Sequence, residues 1–213
     1  MPKGSPELTA ARRDEIMDAC EHLYRTMSFR EINLKEIGKV TSFTRTSIYN
    51  YFQTKEEIFL ALFEREYRNW TDDLRAIASS PEKPGTEALA AELAKSLTSR
   101  ELRLRLLSAN LYDLEDNSRI ERLTEFKRAY FKSTEAMDSI LAKQFHGMSE
   151  KERRLLLLTL FEFIHGVYPY AYATPKQKKA MDEVGVRYGE YTLYELTYEG
   201  MKRILKSAEE KEK

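Results

Sequence analysis

Residues 37–58 read IGKVTSFTRTSIYNYFQTKEEI, and the polar pair at positions 41–42 separates two short helical segments. Thr44 is a typical N-terminal cap for the second segment, which continues to Phe52. Two short helices joined by a tight turn form a helix-turn-helix, the motif that places its second helix in the major groove of DNA. These residues therefore predict a DNA-binding unit.

Helical periodicity extends to both sides of this motif. Apolar residues recur every three or four positions between Ile16 and Met27, which is typical of a helix with one buried face. Asn33 caps the first short helix, over about residues 34–40, and Thr54 begins a longer amphipathic helix. We therefore expect three N-terminal helices and a fourth that leads out of them.

The remainder of the chain is also helical after a loop at 79–85, which holds two Pro and one Gly. The periodicity predicts further helices at about 86–98, 100–115, 118–145, from Ser149 to Pro169, and 175–208. The helix from Ser149 is apolar nearly all round, so we expect it to be buried on both sides. No segment has the alternation of a strand, and the predicted fold class is all-α, with about nine helices.

The charge balance excludes a uniformly basic coat for nucleic acid. The 213 residues include 35 Lys and Arg and 35 Asp and Glu, so the formal net charge is zero. A local basic face remains, because residues 33–55 contain four cations and one anion, a local charge of +3. The cations are Lys35, Lys39, Arg45 and Lys55, and the anion is Glu36. Such a face is suited to the phosphates of DNA.

Several features indicate a cytoplasmic location. Cys20 is the only cysteine, which excludes an intramolecular disulfide and a cysteine-rich zinc site. No apolar run follows Met1, so we expect no signal peptide. The longest apolar run, about 155–158, is far shorter than the ~20 residues of a membrane span, and no membrane partner is expected.

Enzymatic chemistry finds little support in the sequence. We find no P-loop, nucleophile motif or glycine-rich dinucleotide fingerprint, and we expect neither an enzyme nor a cofactor. Glu162 and His165 have the i, i+3 spacing of carboxylate metal sites in helical bundles, but such sites need two of these pairs. We therefore expect no metal site.

The helix-turn-helix resembles that of the tetracycline-repressor (TetR) family of bacterial transcription regulators. The family pattern has a small residue, a polar cap, a Tyr, a Phe three positions later and a Lys that begins the next helix. Gly38, Thr44, Tyr49, Phe52 and Lys55 occupy these places at the same spacing. Elsewhere the chain agrees with the family only in length and helicity.

The similarity covers about residues 9–60 and includes one departure. Family members commonly carry Gly in the turn, where the backbone needs a positive φ, and this chain has Ser42 there. A left-handed Ser costs about 1 kcal/mol, so either the turn is strained or its geometry differs.

The resemblance implies a set of DNA-binding residues, and the second helix offers donors suited to base edges and phosphates. Thr44 would cap this helix. The expected base contacts are Arg45, Thr46 and Tyr51, and Ser47 shares their polar face. The expected contacts to the DNA backbone are Lys35, Tyr49 and Lys55. Lys3, Arg12 and Arg13 are expected to form a flexible arm. A packing role remains an alternative for Tyr49 and Tyr51.

The resemblance also implies a ligand-responsive homodimer that represses transcription from a palindromic operator in double-stranded DNA until a small-molecule effector releases it. The implied domains are a helix-turn-helix DNA-binding domain over 1–53, a connecting helix over 54–78, and an effector-binding and dimerisation domain over 79–213. The apolar helix from Ser149 and the last helix have more apolar surface than one subunit buries, so we expect them to pair between subunits. An activator or a protein–protein interaction factor with the same fold remains an alternative.

An apolar, aromatic-rimmed effector pocket is expected in the second domain. Its predicted lining is Leu93, Leu97, Leu107, Asn110, Tyr112, Phe126, Tyr130, Phe161, His165 and Tyr168. The lack of a basic cluster there favours an apolar or amphipathic effector over a phosphorylated or strongly anionic one. The alternative is that these side chains simply fill the core.

Overall fold

The structure, a computed structural model, describes residues 5–81, 83–108, 111–189 and 191–212. Regular structure in these ranges is entirely helical, which confirms the all-α prediction. The eleven helices are α1 (Pro6–Tyr24), α2 (Leu34–Lys39), α3 (Arg45–Ile48), α4 (Lys55–Ala78), α5 (Thr86–Thr98), α6 (Glu101–Leu107), α7 (Leu111–Asp116), α8 (Ile120–Gln144), α9 (Glu150–Ala171), α10 (Pro175–Glu183) and α11 (Leu193–Glu212).

Two of the predicted helices each divide in two. The segment predicted at 100–115 forms α6 and α7, with residues 109–110 outside the described ranges. The segment predicted at 175–208 forms α10 and α11, because Gly185 and Gly189 adopt φ values of 72° and 80°. These left-handed conformations are readily adopted by glycine and end a helix.

The chain forms two compact units that are not consecutive segments. The first unit comprises the described parts of Met1–Arg65 and Ala109–Ala129. The second comprises those of Glu66–Ser108 and Tyr130–Lys213. Helix α7 and the first part of α8 therefore belong with the N-terminal helices, and α4 and α8 each contribute to both units.

The first unit packs its short helices around a small apolar core. Ile16 and Cys20 of α1, Ile37 of α2, Ile48 of α3 and Phe52 are all fully buried. These residues are the apolar positions of the sequence periodicity, so burial of one face of each helix holds the helix-turn-helix together.

The turn between α2 and α3 depends on a small residue and on α1. A Cβ atom on Gly38 would lie 3.4 Å from the backbone nitrogen of Arg45, so glycine allows α2 to approach the start of α3 closely. No non-glycine residue in the described ranges has a positive φ, so Ser42 is not strained and the geometry of the turn differs instead. The Ser42 amide donates a hydrogen bond of 2.7 Å to Glu15 of α1.

The second unit packs α11 against α5 and α9, and α6 against α5 and α9. Leu93 of α5, Leu104 of α6 and Met201 of α11 are fully buried. A Cβ atom on Gly200 of α11 would overlap the ring of Phe163 in α9, so any larger residue at this crossing requires the ring to shift.

Helix α9 buries only part of its apolar surface within the chain. Leu160 and Ile164 are fully buried, whereas Leu155 and Leu158 are 57% and 48% exposed. The expectation that this helix is buried on both sides is therefore wrong for the single chain. Within the described ranges no single helix is both long enough and apolar enough to span a membrane. Helices α9 and α10 reach that length and apolar character only when taken together, and they are bent by 76° relative to each other.

Candidate nucleic-acid interface

The second helix of the motif is shorter than predicted. Helix α3 covers four residues, and Thr44 caps it by accepting a hydrogen bond of 3.2 Å from the Ser47 amide. Beyond α3 the chain continues in helical turns, with the amides of Tyr51 and Phe52 donating to the carbonyl of Ile48 at 2.9 and 3.0 Å. These turns keep residues 45–52 compact although the regular helix ends at Ile48.

The polar face of α3 is open to solvent. The side chains of Arg45, Thr46 and Tyr49 are exposed. Arg45 Nη2 donates a hydrogen bond of 3.2 Å to the Tyr49 hydroxyl, and the guanidinium carbon lies 5.8 Å from the centroid of the Tyr49 ring. The hydrogen bond and the ring contact therefore hold the Arg45 and Tyr49 side chains together on the surface.

The structure brings four of the predicted DNA-binding residues to one surface depression of about 370 Å³. It is lined by Asn33, Leu34, Lys35, Arg45, Tyr49, Gln53, Thr54 and Lys55. The sequence analysis missed four of these residues, since they carry no charge and lie outside α3: Asn33, Leu34, Gln53 and Thr54. The first turn of α4 borders the depression, and the positive end of its helix dipole favours an anion there.

Lys55 is held in place by the loop that precedes α2. Its Nζ donates a hydrogen bond of 2.7 Å to the carbonyl of Phe29 and lies 4.1 Å from the centroid of the Phe29 ring. The ammonium is thus fixed at the edge of the depression rather than extended into solvent.

The structure corrects three predicted roles. Tyr51 is only 5% exposed, packs edge-on against Phe43 and accepts a hydrogen bond of 3.1 Å from Arg12 Nη1. This burial does not fit a base-contacting role and agrees with the packing alternative. Arg12 and Arg13 lie within α1, not in a flexible arm, and Lys3 lies outside the described residues.

A buried ion pair joins the start of α4 to the segment before α8 within the first unit. Glu57 is fully buried and accepts hydrogen bonds from Arg119 Nε and Nη2 at 2.5 and 2.8 Å. It also accepts from the backbone amides of Gln53 at 2.8 Å and Arg119 at 3.2 Å. Burial alone would raise the pKa of Glu57, but these hydrogen bonds outweigh it and lower the pKa. Thr54 adds a hydrogen bond of 3.0 Å from its hydroxyl to the carbonyl of Asn117.

The predicted effector-pocket residues fall into three groups. Those in the second unit are Leu93, Leu97, Leu107, Tyr130, Phe161, His165 and Tyr168. Phe126 packs against Phe63 in the first unit at 5.2 Å between ring centroids, and Tyr112, also in that unit, is 80% exposed. Asn110 lies outside the described residues.

Four rings of the second unit form what we call the aromatic cluster: Tyr67, Trp70, Tyr130 and Phe161. Ring centroids lie 5.5 Å apart for Tyr67 and Tyr130, 5.7 Å for Tyr130 and Phe161, and 5.8 Å for Trp70 and Phe161. The pairs are arranged edge-to-face, the geometry that aromatic quadrupoles favour.

Sequence reasoning missed Arg103, which is fully buried against this cluster. Its guanidinium carbon lies 3.7 Å from the centroid of the Trp70 ring and 4.9 Å from that of Tyr67. The available signal was its spacing, because Arg103 precedes Leu107 by four positions and so shares its buried helix face. The sequence analysis expected no basic cluster in this region, and the structure places a single buried cation there, Arg103.

Comparison with known proteins identifies the family. Residues 64–206 match the family described as "Tetracyclin repressor-like, C-terminal domain". This match covers more than half of the chain, and the helix-turn-helix precedes it, so the protein belongs to the TetR family of transcriptional regulators.

Individual relatives are distant in sequence but similar in fold. The chain is 27% identical over 79 residues to an HTH-type transcriptional repressor of Mycobacterium tuberculosis, a match that spans 37% of this chain and 40% of that protein. A TetR/AcrR-family regulator of Thermobifida fusca has a TM-score of 0.63 and 21% identity, covering 92% of this chain and 97% of its own. FadR of Thermus thermophilus, a TetR-family repressor solved with lauroyl-CoA, has a TM-score of 0.59 and 18% identity, covering 91% and 93%.

Proposed function

We propose that this regulator is a ligand-responsive, homodimeric repressor that binds a palindromic operator and is released by a small apolar or amphipathic effector. The observation that carries the proposal is the surface depression, which collects Lys35, Arg45, Tyr49 and Lys55 beside the first turn of α4. Cationic donors and a helix N-terminus on one surface are suited to the phosphates and base edges of a DNA groove.

The residues around the depression divide into two roles. Arg45, with Thr46 and Ser47, contacts base edges, because Arg can donate two hydrogen bonds to guanine in the major groove. Lys35, Tyr49 and Lys55 contact phosphates and set the register of the protein on the duplex. Thr44 acts indirectly, because its cap holds the start of α3.

The open face of α9 supports a two-fold dimer. A groove of about 580 Å³ runs along α9 and α11 and includes Leu155, Leu156, Ile204 and Ala208. An exposed apolar strip of this kind is suited to burial against a second copy, and a two-fold dimer presents two recognition helices to a palindrome. Light scattering should therefore give twice the 25.0 kDa of the chain. A monomer at micromolar concentration would contradict the dimer.

The aromatic cluster supports a small-molecule site in the second unit, since ligand sites are lined mainly by apolar and aromatic side chains. The similarly folded FadR of Thermus thermophilus binds lauroyl-CoA, a ligand with a long apolar part. Helix α4 carries Glu57 in the first unit and Trp70 in the second, so it is the element through which an effector would act. The ratio of the effector's affinities for the conformation that does not bind DNA and for the one that does sets how far the effector lowers the affinity for the operator.

The experiment that tests this proposal is a selection of DNA sequences by the full-length protein, followed by fluorescence anisotropy on the selected duplex. We expect a palindromic consensus and a steep fall of affinity with salt, because phosphate contacts release counterions. Lys55→Ala should lower the slope of log K against log salt by about one unit, with weaker binding to every sequence. Arg25→Ala is the matched control, since Arg25 is exposed, pairs only with Glu21 at 3.0 Å among the described contacts and does not line the depression.

Two outcomes would overturn the proposal. Selection without enrichment, together with affinity for DNA that does not change with salt, would instead favour the protein–protein interaction factor. Activation of a reporter placed downstream of the selected sequence would favour an activator over a repressor.

A further inference from the structure

Arg103 carries a buried guanidinium whose N–H groups have no hydrogen-bond acceptor among the described residues. Its guanidinium is fully buried, and Nε, Nη1 and Nη2 make no hydrogen bond within the described residues. The charge of Glu66 favours the protonated form of Arg103, but Glu66 Oε1 accepts a hydrogen bond from Asn69 at 3.5 Å, and Asp73 is paired with Arg100 at 2.6 Å. The contacts that Arg103 does make are with the faces of Trp70 and Tyr67.

This arrangement is unfavourable for the protein without a ligand. Burial lowers the pKa of Arg103 to about 10, so the group is still protonated at neutral pH. Aromatic faces offset part of the cost of burying a cation, but they accept none of its five N–H donors in a hydrogen bond. A buried charge without hydrogen-bonding partners is among the most costly features of a protein interior.

We propose that Arg103 binds the carboxylate of the effector, and that the effector is a monocarboxylate with an apolar body. A carboxylate matches the guanidinium in shape and charge, because it accepts two parallel hydrogen bonds from the fork. Trp70 and Tyr67 of the aromatic cluster contact the guanidinium, and aromatic side chains of this kind are suited to the apolar body. This inference rests on the proposed function, in that it assigns the chemistry of the ligand expected in the second unit.

The neighbouring His165 limits the charge of the ligand. His165 Nδ1 lies 2.6 Å from the carbonyl oxygen of Phe161, so Nδ1 donates and the ring has no need of a second proton. Burial and the charge of Arg103 both lower the pKa of His165, which keeps the ring neutral. Arg103 is thus a single positive charge, which suits a carboxylate better than a phosphate dianion.

The test uses full-length protein and three pairs of compounds that differ only in the head group. The pairs are octanoate with 1-octanol, 3-phenylpropanoate with 3-phenyl-1-propanol, and 1-naphthylacetate with 2-(1-naphthyl)ethanol. Isothermal titration calorimetry should show at least one acid binding about tenfold or more tightly than its alcohol, as expected for charge-assisted hydrogen bonds. The preference of the wild-type protein for an acid over its alcohol tests the carboxylate assignment before any variant is made.

Variants then assign the preference to Arg103. Arg103→Met keeps the length of the side chain without its charge, and it should abolish the preference for the acid while retaining the affinity for the alcohol. It should also raise the Tm of the ligand-free protein by about 2–4 °C, because an unpaired buried charge is removed. Arg103→Lys keeps the charge but not the fork and should lose most of the preference. Arg75→Met is the control, since Arg75 lies in the same unit, is exposed and pairs at the surface with Asp72.

The inference is overturned by any of three results. These are equal binding of acids and alcohols in every pair, an unchanged preference in Arg103→Met, and no binding of any acid at millimolar concentration. Anisotropy on the selected duplex separates this failure from that of the proposed function. If an alcohol releases the DNA and its acid does not, the ligand-responsive repressor stands and the carboxylate is wrong. If acids bind through Arg103 and no duplex is bound, the carboxylate site stands and the repressor is wrong.

Discussion

Two buried charges, one in each unit, have opposite surroundings. Glu57 accepts four hydrogen bonds, three from Arg119 and one from the amide of Gln53. Arg103 has none within the described residues and lies against aromatic rings. Both are fully buried, so the difference lies in their partners rather than in solvent access. A buried charge that the chain itself satisfies joins parts of the structure, whereas one left unsatisfied indicates a partner from outside.

The largest effect is expected from Glu57→Ala. This substitution leaves the amides of Gln53 and Arg119 without their acceptor and removes the counterion of Arg119. We expect the free energy of unfolding to fall by about 3 kcal/mol, at the lower end for a broken buried pair because Arg119 is 39% exposed. Urea unfolding followed by circular dichroism measures this change.

Arg103→Met should instead raise the free energy of unfolding in the same urea experiment, because it removes a buried charge without hydrogen-bonding partners. If both substitutions destabilise the protein equally, Arg103 is a structural residue and the distinction between the two charges fails.

An exposed charge provides the next contrast. Arg45 lies on the surface with Tyr49 as its partner, so Arg45→Ala should leave the free energy of unfolding nearly unchanged. It should nevertheless reduce the discrimination among base pairs by about 1–3 kcal/mol at particular positions of the operator. A binding-site selection with this variant is the measurement, and an unchanged consensus would refute the assignment of Arg45 to base edges.

Thr44→Ala tests an uncharged interaction, the hydrogen bond by which Thr44 caps α3. The Thr44 hydroxyl satisfies the Ser47 amide at the start of a helix of only four residues. Loss of this cap should cost about 1 kcal/mol of stability. Thr44→Ser retains the oxygen and should behave as the wild-type protein in thermal unfolding; if Thr44→Ser is as unstable as Thr44→Ala, the cap is not the cause.

The smallest effect is a dependence of stability on pH that originates at Glu57. Hydrogen bonds lower its pKa in the folded protein below the usual 4.5. A carboxyl whose pKa is lower in the folded state stabilises the fold above the unfolded pKa and loses this contribution as the pH falls through the folded pKa. The stability difference between the wild-type protein and Glu57→Gln should therefore shrink between about pH 6 and pH 3. A difference that is constant over this range would mean that Glu57 does not titrate as the structure implies.

The caps of α2 and α3 and the buried face of α1 follow from local rules, which is why the sequence predicted them, although α3 is shorter than predicted. Asn33 and Thr44 cap α2 and α3, and both side chains accept the expected backbone hydrogen bonds. The apolar spacing of α1 placed Ile16 and Cys20 in the core, where they are fully buried. Caps and periodicity act over three or four residues, so a single sequence contains them.

The errors occur where distant parts of the chain meet. Tyr51 looked like a polar residue of the recognition face, but it is buried because Arg12, 39 positions earlier, supplies its hydrogen bond. Nothing in the sequence indicated that Glu57 pairs with Arg119, which is 62 positions away. Such pairings depend on tertiary packing, which periodicity does not encode.

The sequence by itself determined the helical class, the helix-turn-helix and the cationic residues around it, because each depends on neighbours along the chain. Only the tertiary structure decided which charges are neutralised. Arg103 and Arg105 stand two positions apart among leucines of the same short helix, and the spacing that places Arg103 on the buried face does not show what surrounds its charge. Packing placed Arg103 against Trp70 and buried it completely. Since the cost of a charge depends on the solvent and donors that surround it in space, its role follows from the fold.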